Sequence, residues 1–124
     1  MSDLAGLTVA DVMLAEPKTL SGSASVGEVR AMLENPSVQM VLLADDGRFR
    51  GSVTAIPAGA SDQDPAVQFA DPSPRSLAAG EPAQTAFDVT SAEPHRRAVV
   101  LGDDGRLLGL VCLNQARTHF CGKS

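Results

Sequence analysis

Tryptophan and tyrosine are absent from the chain and phenylalanine occurs only four times. The stacking platforms that hold unpaired bases are therefore missing, and the core must be aliphatic. Positive charge is also scarce: ten Lys and Arg stand against 15 Asp and Glu, a formal net charge of -5. That balance is the opposite of a phosphate-backbone footprint, so no nucleic-acid partner is expected. Long hydrophobic runs are missing too. The longest, Met40 to Ala44, falls far short of the roughly 18 residues that a membrane span requires, so no membrane partner is expected. The stretch Met1 to Gly6 lacks a basic segment followed by an apolar one, and a cytoplasmic location is expected. Cysteine is limited to Cys112 and Cys121. One pair is not a disulfide framework, and reduced thiols are expected.

What is present is an ordinary globular balance, 44% apolar and 20% charged over 124 residues, enough for one compact domain or two small repeats sharing a core. An internal repeat decides between them. Shifted by 58 residues, Pro36–Thr54 superimposes on Pro94–Cys112 with nine of 19 positions identical, among them Asp45/Asp103, Asp46/Asp104, Gly47/Gly105, Arg48/Arg106 and Gly51/Gly109. Chance would give about one match. Each half is too small to bury enough surface alone, so the halves are expected to pack their apolar faces together.

Within each half, Met40–Ala44 and Ala98–Gly102 are short continuous apolar runs, the pattern of a strand covered on both faces. Asp-Gly in Asp45–Arg48 and in Asp103–Arg106 supplies the positive φ of a tight hairpin, so strands should return through Val53 and Val111. Upstream, Ser25-Val26-Gly27-Glu28 has capping-box spacing, and Val26, Val29, Met32 and Leu33 follow at helical period until Pro36. A second helix is expected from Pro82 through Ala83, Ala86, Phe87 and Thr90, ending before Pro94. Leu113–Phe120 reads as a closing helix with Gly122 as its cap. Its counterpart after Ala55 is broken by Pro57, Gly59 and Pro65, which makes that stretch a linker, with order resuming over Ala66–Ala70.

This order of elements resembles the cystathionine-β-synthase (CBS) domain, which occurs in tandem pairs called Bateman modules. Val9-Ala10-Asp11-Val12-Met13 looks like the family's opening motif, and Asp45–Thr54 looks like its hairpin and last strand. The resemblance implies an α+β fold of two β-α-β-β-α repeats with pseudo-two-fold packing. The repeats are expected over 1–60 and 61–124, with the linker near 55–65. It further implies a homodimer and a stand-alone regulatory module, not an enzyme, that senses an adenosine-containing ligand (AMP, ATP or S-adenosylmethionine class) in the inter-repeat cleft. The regulated effector protein is not named by the sequence, and no cofactor is expected.

The family's Gly-x-x-Thr-x-x-Asp segment places a hydroxyl and backbone amides on a phosphate and a carboxylate on the ribose. Here the first repeat reads Gly51 to Pro57, keeping Thr54 but with Pro57 at the aspartate position. The second reads Gly109 to Gln115, with Cys112 for the threonine and Gln115 for the aspartate. An arginine before the central strand often meets phosphate in this family. Arg97 holds that place beside His95 and Arg96, whereas the first repeat has Gln39. The resemblance thus nominates Thr19, Thr54, Arg97, Cys112 and Gln115 as ligand-binding residues. A solvated strand edge is the other reading of Arg96 and Arg97. A metal site from Cys112, His119 and Cys121 is disfavoured because His119 and Cys121 lie two apart on the expected helix. A Cys-His nucleophile from Cys112 with His95 or His119 lacks an orienting third group. The second functional class is a structural dimerisation module whose degenerate pockets bind no nucleotide.

Overall fold

The computed structural model describes residues 4–36 and 38–121. The chain divides into two compact units, Lys18–Pro74 and Met1–Pro17 joined with Arg75–Ser124.

In the first of these, β2 (Thr19–Leu20) runs parallel to β3 (Val41–Asp45), which pairs antiparallel with β4 (Arg48–Val53). The Asp-Gly signal acts as expected: Asp46 and Gly47 take φ of 50° and 81°, both left-handed, closing a two-residue hairpin. Helix α2 (Val26–Leu33) begins at the expected capping box. The Ser25 hydroxyl accepts from Glu28 N at 3.3 Å and Glu28 Oε1 accepts from Ser25 N at 3.2 Å, which satisfies two of the helix's orphan donors. Its apolar face, Val26 and Val29 with Met32 and Leu33, turns inward, and Val29 joins a core of Ala24, Val41, Leu43, Val53 and Ala66. The segment after β4 is loop until a single 3-10 turn, Ala66–Phe69, as its prolines and glycine imply.

The other unit repeats this plan around a largely buried central strand. Here β5 (Ser76–Leu77) lies parallel to β6 (Arg97–Leu101), which pairs antiparallel with β7 (Leu107–Cys112). Helix α3 (Ala83–Ala92) starts behind Pro82 and buries Ala83, Ala86 and Thr90. The buried Thr90 hydroxyl is satisfied by donating to Ala86 O at 2.7 Å. Helix α1 (Val9–Val12) and β1 (Leu14–Ala15) complete this unit, β1 pairing antiparallel with β7. Asp11 caps α1 by accepting from Thr8 N at 2.8 Å, which gives the opening motif a local role.

The packing units therefore do not follow the repeat boundaries read from the sequence. The opening segment of the first repeat is built into the sheet of the second, and Asp71, in the opening segment of the second, bridges to Ser52 in the sheet of the first. The two glycines shared by the repeats make room for this. A Cβ on Gly109 would meet Met13 Sδ at 2.6 Å and Leu14 O at 2.8 Å, and one on Gly51 would meet Ala70 Cβ at 2.8 Å. Both glycines sit beside register shifts in their hairpins, where the bulged strand bends to accept a neighbour.

The expected closing helix over Leu113–Phe120 does not form. Asn114 Oδ1 accepts from Thr118 N (2.8 Å) and His119 N (3.2 Å), and Leu113 pairs antiparallel with Phe120. A side chain that captures nearby amides competes with helix formation, and the chain folds back as a tight turn. Gly122 lies outside the described residues.

Candidate functional site

The turn after β7 and the start of β6 bring four basic side chains to one end of α3. Arg97 opens β6 and pairs across the ladder with Cys112. It is 7% exposed, so the solvated-edge reading does not hold for it. Its Nη1 donates to three carbonyls, His95 O at 3.0 Å, Arg96 O at 3.3 Å and Leu113 O at 3.4 Å. Burial, with Arg96 beside it, holds the Arg97 guanidinium below the usual arginine value. Arg96 sits at φ 58° and donates from Nε to the same Leu113 carbonyl at 3.3 Å, while Leu113 N donates back to Arg96 O at 3.0 Å.

Arg117, also at φ 58°, reaches the C-terminal end of α3, where Nε donates to Ser91 O at 3.1 Å and Nη2 to Glu93 O at 3.4 Å. Those carbonyls are the negative end of the helix dipole, so the cation there is favoured. His95 is half-buried, with Nε2 3.5 Å from Glu93 Oε1. Burial lowers its pKa from the ordinary value, Glu93 opposes that, and Arg97 and Arg96 add to it. In a chain of net charge -5 this is a concentrated positive locus, with Glu93 as the nearby acid. Chemically it suits an anion rather than a cation.

The nominated residues are distributed unevenly. Arg97 and Cys112 are brought side by side, and Gln115 stands exposed on the following turn. Thr54, exposed just past β4, and Thr19, half-buried on β2 opposite Leu42, belong to the other unit. At Pro57, where a ribose aspartate is missing, Arg30 on α2 fastens the loop. Its Nη2 donates to Pro57 O at 2.9 Å and its Nη1 pairs with Asp62 Oδ1 at 2.5 Å. Gln39, the counterpart of Arg97, donates from Nε2 to Pro36 O at 3.0 Å, so both side chains secure the turn before their strand.

The reading of the cysteines as reduced thiols is overturned. Cys112 and Cys121 form a disulfide, their Cα atoms 5.2 Å apart. The turn brings the two ends together, and Cys121 N donates to Cys112 O at 2.7 Å. The bond removes both sulfurs as metal ligands and Cys112 as a nucleophile. Sequence reasoning also missed Arg117 and the Leu113 carbonyl as parts of the locus. Neither has a local signature, since the contacts form only once the expected helix is replaced by a turn.

The fold is an α+β arrangement of a three-stranded sheet with helix α2 and a four-stranded sheet with helices α1 and α3. The sequence model of the CBS domain matches residues 9–56. Solved CBS pairs share the fold across most of the chain. The CBS-pair protein CBSX2 from Arabidopsis thaliana is 21% identical, with 87% of this chain and 89% of that one covered and a TM-score of 0.71; it has also been solved in complex with AMP. The CBS domains of a transcriptional regulator from Streptococcus pneumoniae are 17% identical over 85% and 92% of the two chains, TM-score 0.71. The CBS domain of a bacterial CNNM/CorC family Mg2+ transporter in complex with ATP is 15% identical over 89% and 84%, TM-score 0.69. No curated protein matches the sequence. The chain shares the fold of these solved CBS pairs.

Proposed function

We propose that this chain is a regulatory module that senses an adenosine-containing ligand of the AMP, ATP or S-adenosylmethionine class. The observation that carries the reading is the positive locus of Arg96, Arg97 and Arg117 in an acidic chain. CBS domains of the same fold have been solved with AMP and with ATP, which supports this ligand class. The ligand's phosphate is assigned to this locus, with Arg97 and Cys112 at its floor. Gln115 offers one neutral acceptor to a ribose where a carboxylate would offer a charged one, so binding is weak. Thr19 and Thr54 are assigned to ligand contact in the other unit. The module is regulatory and not catalytic, works as a homodimer in the cytoplasm, and acts on an effector protein still to be identified.

A thermal-shift screen against adenine and guanine nucleotides and S-adenosylmethionine tests the class. Ligand at 100 times its dissociation constant stabilises the fold by about 2.7 kcal/mol, which raises Tm by roughly 10 °C in a chain this size. Light scattering coupled to gel filtration should give twice the 12.8 kDa chain mass.

A second reading, a dimerisation module without nucleotide binding, is favoured by two specific observations. Arg97 spends hydrogen bonds on backbone carbonyls, and Arg30 fastens the loop at Pro57. No thermal shift with any of these ligands at millimolar concentration selects it.

A further inference from the structure

The disulfide joins the two ends of the turn on which the positive locus is built, and its two sulfurs are not equally accessible. Cys112 is 5% exposed, at the end of β7, whereas Cys121 is only half-buried. Between them, Leu113 is fully buried and Phe120 is 7% exposed, its ring edge-on to Phe87 with centroids 6.1 Å apart. Leu113 O receives Arg96 and Arg97, and Arg117 reaches from the same turn to the end of α3. The turn also places Arg117 in a left-handed conformation that few arginines adopt unaided. A closed loop of this length is a constraint that its side-chain contacts alone would hold less tightly.

We propose that Cys112–Cys121 is a reversible thiol–disulfide exchange site whose oxidation state sets the order of the 113–120 turn and, through Leu113 O and Arg117, the placement of the arginine cluster. The inference is independent of whether a nucleotide binds. The reductant is a dithiol. Its thiolate attacks the accessible Cys121 sulfur, the Cys112–Cys121 bond breaks, and Cys112 leaves as a thiolate that takes a proton. The second thiol of the reductant then displaces Cys121 from the mixed disulfide and is itself oxidised to a disulfide. In total the protein gains two electrons and two protons, and the dithiol loses them. Attack at Cys121 is favoured over attack at Cys112 because Cys112 is buried at the end of β7 and Cys121 is only half-buried.

Amide hydrogen exchange read by mass spectrometry tests this on the full chain, before and after dithiothreitol and again after reoxidation with oxidised glutathione. Thiol content is followed by alkylation. The expected result is an intramolecular bond that closes and reopens, with amide exchange over 113–121 faster by about tenfold or more in the reduced protein and Tm lower by roughly 10 °C. The Cys121→Ser variant, altered at the more exposed sulfur, should match the reduced protein without any reductant. Exchange over 41–53, in the other unit, should not move. Free thiols that persist under oxidised glutathione would overturn the proposal. So would bonds that form only between chains, or identical exchange over 113–121 in both states.

Discussion

After Val53 the chain leaves its sheet into a loop whose Pro57 carbonyl is held by Arg30, whereas after Cys112 it doubles back through Asn114 and is tied to its own strand at Cys121. Up to those points the two halves run in parallel, with an antiparallel strand pair bulged beside a glycine and a polar side chain securing the turn before the central strand, although the first pair is joined by a two-residue turn and the second by a longer one closed by Gly102 N donating to Arg106 O. The difference follows from a few residues. Pro57 and Gly59 prevent a closing helix in the first half, whereas in the second the turn from Leu113 to Cys121 brings Leu113 and Phe120 into the core. Duplicated frames diverge where they no longer have to hold the sheet, and the divergent ends are where the charge and the covalent bond collect.

The largest test of that contrast is a matched truncation. Leu113 is fully buried, so Leu113→Ala should cost about 2 to 5 kcal/mol, while Ile56→Ala, a half-buried residue at the corresponding exit of the other half, should cost about 1 kcal/mol. Denaturant titration measures both. Equal losses would mean that the two endings are structurally equivalent after all.

The shared glycines give the next largest effect. Gly109→Ala and Gly51→Ala each drive a methyl into an adjacent segment and should each cost about 1 to 3 kcal/mol. Gly59→Ala, with open space around it, should be close to neutral. A neutral Gly109→Ala would show that β1 does not pack against β7 as closely as its register implies.

Acid separates the halves by a smaller amount. His95 has a lowered folded pKa, so below its ordinary 6.5 the unfolded chain binds more protons than the native one, and stability is lost as pH falls through that value. Asp45, in the other half, is held low first by the Gly22 amide, then by the Ser21 hydroxyl and Arg50, so its contribution is lost only as pH falls below 3.8. Mild acid should therefore loosen the half with His95 first. His95→Gln should flatten the stability curve between about pH 7 and pH 5, and hydrogen exchange resolved by segment would show which half responds.

Much of the fold was legible because its determinants are local. Asp46-Gly47, the Ser25–Glu28 capping box and the continuous apolar runs each specify a backbone shape within a few residues and form as read. At Asp104-Gly105 the strand also returns, but through a longer turn in which only the glycine is left-handed. The exchange of opening segments was not legible, since β1 has only two residues and finds its sheet through the space left by Gly109. The closing helix failed for a reason of competition: Leu113, Ala116 and Phe120 suggest helical spacing, but Asn114 captures the amides such a helix would use. The disulfide was missed because the expected cytoplasmic location favoured free thiols, and only the turn brings the two cysteines together. Of the candidate site, Arg97 was found by position in the repeat, whereas Arg117 and Leu113 O were hidden until the turn placed them.

The central claim is that a nucleotide's phosphate sits at the arginine locus of the second frame. Calorimetric titration of AMP and of adenosine into the native chain and Arg97→Gln tests it most directly, since a charge-assisted hydrogen bond is worth roughly 1.5 to 3 kcal/mol. AMP should bind about tenfold or more tightly than adenosine to the native chain, and the gap should shrink in the variant. Equal affinities for the two ligands, an unchanged gap in Arg97→Gln, or no binding of AMP at all would contradict the account.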